Sequence, residues 1–356
     1  MTESPLSERS ERPPVGAPVE RGWGKLLLAL GAFLVLLRTP IFDLFAPVEH
    51  TLLLFVPALA VCMLVGWWAG GPLLPAIAWS ALAVMMAANR ALATDAFGTL
   101  SRGWSLLLAG AFGLVCLFST QRPLLTRALV ALTLVLGVTL VMGVVGPVSA
   151  EQAVTIVSAE LARRAADSIA SLRASIAQMP DLATRLPELA RMPDELEGLL
   201  AGATRAGTRL FPALLALESL CALALAWATY HRFARTRLGP PLAPLMYFRF
   251  NDQLVWGLIV GLTVLLVPTL AGARPLGQNF VLFFGALFVL RGLGVLAWFL
   301  APRRLWPLVV TALVLLYIPV VQYVAVLGLT MLLVVAFGLG LGDTWADWRN
   351  RARPTT

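Results

Sequence analysis

Long apolar blocks separated by short polar breaks fill most of the chain. Each block has about 15 to 25 residues, close to the about 20 that a helix needs to cross a bilayer. The backbone of a membrane span must satisfy its own hydrogen bonds, so the blocks predict an all-α, polytopic transmembrane helix bundle of eight to ten spans. We place the ten blocks at 24–38, 51–70, 72–88, 103–120, 124–148, 208–230, 253–272, 278–300, 305–320 and 322–341.

One long segment, residues 150–207, breaks the pattern. Through Arg209 it carries eight acidic residues against seven arginines, so it is predicted to lie outside the hydrocarbon as a helical insert. Its apolar residues recur at spacings of three and four, which predicts one amphipathic helix of about 29 residues. These residues are Val154, Val157, Leu161, Ala165, Ile169, Leu172, Ile176 and Met179.

The rest of the insert contains Pro180, Pro187 and Pro193, which predict a division into short helices. Two interpretations of the insert stay open. It is either a movable cap or docking surface on the extracytoplasmic side, or an amphipathic element that rests in the lipid headgroups.

Composition supports a membrane protein. Hydrophobic residues make up 59% of the chain and charged residues 13%, with a mean hydropathy of +0.84, which excludes a soluble globular fold. The net charge of +8 indicates contact with membrane lipids rather than nucleic acid. The three cysteines fall inside apolar blocks without metal-ligand spacing, so we expect no metal site.

The distribution of basic residues predicts the topology. With both termini in the cytoplasm, thirteen basic residues fall in cytoplasmic segments and four in the short outer loops, in keeping with the positive-inside rule. The expected location is the bacterial cytoplasmic membrane. The resulting segments are a disordered tail 1–22, spans one to five in 23–149, the extracytoplasmic insert 150–207, span six in 208–236, a cytoplasmic loop 237–252, spans seven to ten in 253–342 and a tail 343–356.

Two ionisable residues lie deep inside apolar blocks. Glu218 is ten residues from the start of the sixth block, and Arg291 is thirteen residues into the eighth. A charged side chain in mid-span costs about 2.5–3.5 kcal/mol on insertion scales, so each requires a partner. The pair predicts either a polar site for an anionic or zwitterionic ligand or a structural ion pair between two helices, and a lack of contact between them is the third alternative.

Other polar residues form weaker candidates at the block ends. Asn89, Arg90, Gln278 and Asn279 are predicted on the outer face, either as the rim of an outward-facing mouth or as helix caps and interface anchors. Asp343, Asp347 and Arg349 follow the last block, either as a cytoplasmic docking site or as an interfacial anchor.

Small residues also recur in the apolar blocks. Gly257 and Gly261, and again Gly338 and Gly342, have the four-residue spacing that lets helices approach closely.

Catalytic chemistry has little support in the sequence. There are only two histidines, His50 and His231, on opposite predicted faces, and the chain has no phosphate-binding loop or zinc-protease motif. We therefore expect a protein that is not an enzyme and has no cofactor.

Several strings in the carboxyl-terminal half carry a family resemblance. They are HRFAR at 231–235, FRFNDQLVWG at 248–257, QNF at 278–280, RGLGV at 291–295 and GLGDTWADWR at 340–349. In order and spacing they resemble the YybS-like family of bacterial membrane proteins, whose domain has no assigned function. That family is distantly similar to the S components of energy-coupling-factor vitamin transporters, which implies a six-helix core over residues 24–236.

Two functions are consistent with these features. The first is a small-solute-binding or permease component of a transport system, with a small-molecule ligand and membrane-protein partner subunits. The second is a structural or assembly factor of the cell envelope that scaffolds other membrane proteins.

Overall fold

A computed structural model shows a chain built from helices. It describes residues 26–27, 30–31, 40–89, 95–119, 121–146, 148–178, 187–234, 238–300, 311 and 319–351. The prediction of an all-α helical bundle is confirmed. The α-helices are α1 Pro40–Phe45, α2 Val48–Trp68, α3 Leu73–Ala88, α4 Ala96–Phe118, α5 Leu124–Val145, α6 Ala150–Ala177, α7 Pro187–Phe233, α8 Val255–Leu266, α9 Arg274–Leu300, α10 Pro319–Ala346 and α11 Trp348–Arg351.

Among the described residues, six helices are long and apolar enough to cross a membrane. They are α2, α4, α5, the part of α7 that begins at Arg191, α9 together with the preceding 3₁₀ turn Pro268–Ala273, and the part of α10 that begins at Leu327. The shorter helices α3 and α8 are also apolar. The predicted spans 24–38 and 305–320 lie almost entirely outside the described residues, so the total number of spans stays a prediction.

The chain divides into two compact units. The amino-terminal unit spans residues 24–120 and 127–238, and the carboxyl-terminal unit contains 121–126 and 239–356.

In the amino-terminal unit, α2, α4 and α7 pack parallel to one another. In the first halves of α2 and α4, Trp104 on α4 contacts Ser219 in the second half of α7, and Ser105 contacts Leu53 on α2. Toward their ends, Phe112 packs against Trp227. Parallel neighbours require the chain to return between them, and α3 and α5 are the described apolar helices that stand between α2, α4 and α7 in the sequence.

The insert is a helical hairpin. Ser149 and Gln152 form a capping box that begins α6, and the helix has 28 residues, which confirms the predicted length. Its apolar stripe packs against protein. Val157, Leu161, Ala165 and Ile169 are buried with Leu44 of α1, Phe97 of α4 and Leu200 of α7. These positions therefore contact protein, and the location of the insert relative to the lipid headgroups stays a prediction.

The predicted division of the insert at Pro193 is wrong. Pro187 begins α7, but Pro193 and Pro212 lie inside it, and α7 runs for 47 residues into the sixth span without a break. A helix of that length extends about 70 Å, more than twice the about 30 Å of hydrocarbon. The second half of the insert and the sixth span are one element.

In the carboxyl-terminal unit, α8 and α9 form an antiparallel hairpin. The predicted seventh block, 253–272, is helical only to Leu266, because Pro268 forces Val267 into an extended conformation and starts the 3₁₀ turn Pro268–Ala273. Gly257 packs under the ring of Phe284, and Gly261 under Val281, which confirms their predicted role in helix packing.

The helices α9 and α10 pack parallel through a different glycine pair from the predicted one. Gly292 lies against the carbonyl of Ala336, and Gly340 lies against the carbonyl of Phe288. A β-carbon added at Gly338 would meet nothing within 4 Å, whereas one at Gly342 would meet the ring of Trp348. Within the described part of the chain, Gly338 therefore makes no close helix contact.

Candidate functional site

Glu218 lies buried in α7 and is bound by the first turn of α2. Its Oε2 is 2.8 Å from Nδ1 of His50, and its Oε1 accepts a hydrogen bond of 3.0 Å from the hydroxyl of Thr51. The side chains of His50 and Glu218 are 6% and 8% exposed, so water does little to solvate the carboxylate. The positive end of the α2 dipole adds to its stabilisation. The three side chains form what we call the α2–α7 site.

Neighbouring polar groups hold the site in place. Ser219 accepts a hydrogen bond of 3.0 Å from the indole of Trp104, and Ser105 donates to the carbonyl of Leu53. These bonds fix α4 against both α2 and α7, because buried polar groups without partners destabilise a fold. The register that brings Glu218 to the start of α2 follows from them.

One atom of the α2–α7 site has no such partner. Nε2 of His50 is buried and makes no hydrogen bond within the part of the chain that the structure describes. The ring lies 5.9 Å from that of Phe97. A buried, unsatisfied imidazole nitrogen costs about 1–3 kcal/mol, so it marks a position at which a bound group would be stabilised.

The insert contacts the residues around this site. Phe97 packs between His50 and the guanidinium of Arg164, which lies 4.9 Å from the ring centroid. Arg164 in turn donates to the carbonyl of Leu44 at 3.2 Å and to Glu160 at 2.7 Å. A continuous series of contacts therefore runs from α6 to the α2–α7 site.

Glu160 is paired with two of the arginines of α6. It accepts hydrogen bonds from both Arg163 and Arg164. Burial raises the pKa of the Glu160 carboxyl, but these hydrogen bonds outweigh it and leave the pKa below its usual value. The carboxylate is therefore held in its charged form.

Arg291 belongs to a separate ionic cluster in the carboxyl-terminal unit. Its Nε donates to Asp343 at 3.0 Å and its Nη1 to Asp252 at 2.6 Å, and the guanidinium lies 5.3 Å from the ring centroid of Phe250. The predicted pairing of Arg291 with Glu218 is thus replaced by two clusters, because each residue has counter-groups inside its own unit.

The position of Arg291 along α9 differs from the mid-span position that the sequence predicts. Arg274 and Arg291 are separated by about 26 Å along the helix, close to the about 30 Å thickness of hydrocarbon. Arg291 is level with Asp252, which precedes α8, and with Asp343, near the end of α10. It therefore lies in the last third of the candidate span Pro268–Leu300 and not at its centre.

The predicted cytoplasmic docking residues are used inside the fold. Asp343 is 1% exposed and Arg349 is 3% exposed, and they are joined by a 2.6 Å ion pair. Arg349 also donates to the carbonyls of Met246 and Phe248, and burial lowers its pKa from the usual value. An arginine keeps its proton despite such a shift. Asp343 and Arg349 are therefore too buried to dock a partner.

The backbone at Asp347 turns the chain so that α11 folds back. Its φ of +43° lies in the left-handed region, and its carboxylate binds Arg249 at 2.6 Å. Residues 343–349 thus bind the end of α10 to the loop 245–250 through this ion pair and the hydrogen bonds of Arg349.

The predicted outer rim divides between the two units. Asn89 follows the last residue of α3, and its carbonyl accepts a hydrogen bond of 2.5 Å from Arg102. Asn279 donates 2.8 Å back to the carbonyl of Pro275 within α9, and Gln278 is partly buried beside it. Arg90 lies outside the described residues. Asn89 is the C-cap residue of α3, which fits the capping alternative, whereas Asn279 lies inside α9 and caps neither end of it.

Sequence reasoning missed His50 and Thr51 as partners of Glu218. Both lie at the start of a block, where polar residues are common, and nothing in their spacing points to a residue 168 positions away. Among the described residues, no group of three or more histidine, cysteine, aspartate or glutamate side chains has the arrangement of a metal site.

Comparison with known proteins identifies a family. The family model described as "Predicted membrane protein (DUF2232)" matches residues 41–330. No curated protein and no solved structure matches the chain.

Proposed function

We propose that this chain, which belongs to the DUF2232 family of membrane proteins, is a non-catalytic small-solute-binding or permease component of a transport system in the bacterial cytoplasmic membrane. The observation that carries the proposal is the α2–α7 site. It combines a buried carboxylate with a buried imidazole whose Nε2 has no hydrogen-bond partner among the described residues.

The cost of such a site supports a functional role. Ionisable side chains inside membrane spans are rare, and they mark binding sites and ion pathways more often than they stabilise packing. If the contact between α2 and α7 were purely structural, apolar residues of similar volume could take the place of these polar side chains at no desolvation cost.

The position of the site supports binding from the extracytoplasmic side. With both termini in the cytoplasm, the starts of α2, α4 and α7 face outward, and the insert stands on that side. Phe97 and Arg164 then form the cover of the site, which agrees with the proposed role of the insert as a cap.

Affinity purification in native lipid tests the proposal. The wild type, Glu218→Gln and the control Thr133→Ala, which alters an exposed residue of α5, would be extracted with their surrounding bilayer, and bound small molecules and chains identified by mass spectrometry. We expect one solute to be enriched with the wild type and the control and lost from Glu218→Gln. Identical small molecules in all three samples would reject a binding role for the site.

The alternative is an assembly factor that scaffolds other membrane proteins. The observation that favours it is the charged outer face of the insert hairpin, where Arg173 of α6 bridges the exposed Asp194 and Glu197 of α7. The same purification separates the two functions. Recovery of envelope-assembly proteins with the wild type and with Glu218→Gln alike, and of no solute, would favour the scaffold. Recovery of an ATPase with a coupling subunit would favour transport.

A further inference from the structure

We infer that the group recognised at the α2–α7 site is a small organic ammonium, which donates an N–H hydrogen bond to Nε2 of His50. This inference deepens the proposed function by naming the chemical class of the solute. It replaces the anionic or zwitterionic ligand that a site formed by Glu218 and Arg291 would have favoured.

The first step concerns the proton on the imidazole. Nδ1 of His50 faces Oε2 of Glu218 at 2.8 Å, and an ionised carboxylate only accepts hydrogen bonds. Nδ1 therefore carries the proton. In the neutral ring the lone pair is then on Nε2, which becomes a hydrogen-bond acceptor.

The second step concerns the acceptor capacity of Glu218. Its other oxygen, Oε1, already accepts the hydroxyl proton of Thr51 at 3.0 Å. Nε2 of His50 is buried and unsatisfied among the described residues. A donor arriving at the site is therefore bound best at this nitrogen.

The third step concerns charge. On α6, Arg163 and Arg164 are paired with Glu160 and Asp167, and Asp95 also acts on the charge of Arg163, so this neighbouring cluster supplies no unpaired cation. Arg291 is neutralised in its own cluster by Asp252 and Asp343. Among the described residues, no arginine or lysine forms an ion pair with Glu218, and the neutral ring of His50 leaves its negative charge uncompensated.

The sign of the ligand follows from these steps. A cation that donates to Nε2 lies about one imidazole ring away from Glu218 and compensates its negative charge. The same cation gives Nε2 of His50 its hydrogen-bond partner. An anion would place a second negative charge beside a buried carboxylate, where the repulsion is weakly screened. A permanently charged group without an N–H would satisfy the charge but not the hydrogen bond.

Nuclear magnetic resonance of ¹⁵N-labelled histidine tests this inference directly, because the chain has only two histidines. The full chain would be placed in lipid nanodiscs at fixed pH and fixed ionic strength. The probes are methylammonium chloride, tetramethylammonium chloride and sodium acetate. Assignment uses His50→Gln and His231→Gln, and His231 is the internal control in the wild type.

We expect His50 without a probe to show a protonated Nδ1 and a bare Nε2. Methylammonium should shift the Nε2 resonance of His50 in a saturable manner, with at least a fivefold weaker response to tetramethylammonium and none to acetate. The resonances of His231 should stay in place. In Glu218→Gln the response to methylammonium should fall at least tenfold.

Each contrary result overturns the inference. These results are a protonated Nε2 on His50, a saturable response to acetate, an equal response to the two ammonium probes, and no response to any probe. The measurement does not depend on transport. A methylammonium response in a protein that purifies without any solute would therefore reject the proposed function and leave the ammonium site intact.

Discussion

Asp343 accepts hydrogen bonds from two arginines at once, so both arginines depend on the same carboxylate for charge compensation. Its Oδ2 binds Arg291 at 3.0 Å and Arg349 at 2.6 Å. Asp252 and Asp347 supply the remaining negative charges, opposite Arg291 and Arg249. Three arginines and three aspartates thus form a neutral cluster, and removing one of its buried members, Asp343 or Arg349, leaves a buried charge with less compensation.

A double-mutant cycle tests this cluster. Asp343→Asn and Arg349→Gln should each lower the free energy of unfolding in detergent by about 3–5 kcal/mol, because each leaves the partner charge buried. The double variant should lose less than the sum of the two single losses. Arg173→Gln, which breaks an exposed ion pair on the insert, is the control and should cost about 0–1 kcal/mol. Additive losses at 343 and 349 would show that the two side chains do not interact.

Acid pH should weaken the attachment of the insert through Glu160. Its pKa is held below the ordinary value of 4.5, so the folded state binds the proton less readily than the unfolded state. The stabilisation is therefore complete above about pH 4.5 and is lost as the pH falls through the lowered folded-state pKa. Thermal unfolding of the wild type and Glu160→Gln, followed from pH 7 to pH 3, should show a difference in stability that shrinks below about pH 4.5. A constant difference over this range would contradict the ion-pair assignment.

At the scale of single elements, periodicity and end signals predict the helices well, whereas prolines mislead. The stripe on α6 and its capping box are local features, and the structure reproduces both. Pro193 was a poor guide because packing holds α7 together despite the lost backbone hydrogen bond, whereas Pro268 does end α8. A proline is a local signal, and the outcome depends on tertiary contacts that spacing does not reveal.

The close contact of α9 with α10 gives a test at the same scale. Gly292→Ala places a methyl group against the carbonyl of Ala336, so we expect a loss of about 1–3 kcal/mol in unfolding free energy. Gly338→Ala is the matched control, because nothing lies within 4 Å of the added carbon. It should be neutral or stabilise the helix by up to about 1 kcal/mol. Equal effects of the two substitutions would show that α9 and α10 do not meet at Gly292.

At the scale of the whole molecule, hydrophobicity predicts that the chain crosses a membrane but not which helices touch. The blocks anticipated α2, α4, α5 and α9 to within about seven residues, whereas the sixth block, 208–230, covers only the second half of α7. Depth in a block marked Glu218 correctly as a residue that needs a partner, since burial of a charge is a property of a single residue. The identity of that partner depends on how α2 packs against α7, and this is why His50 went unnoticed while Arg291 was chosen in its place.

The direction in which the chain crosses the membrane follows from the charge pattern, and cysteine accessibility tests it. In a background with Cys62, Cys116 and Cys221 replaced by alanine, Ser171→Cys introduces a thiol on the exposed face of α6, and Leu242→Cys introduces one in the exposed loop before α8. A membrane-impermeant maleimide should label position 171 in intact cells and position 242 only after permeabilisation, because basic loops stay in the cytoplasm. The opposite pattern would invert the topology. It would place the starts of α2, α4 and α7 on the cytoplasmic side, so the α2–α7 site would then receive its ligand from inside the cell.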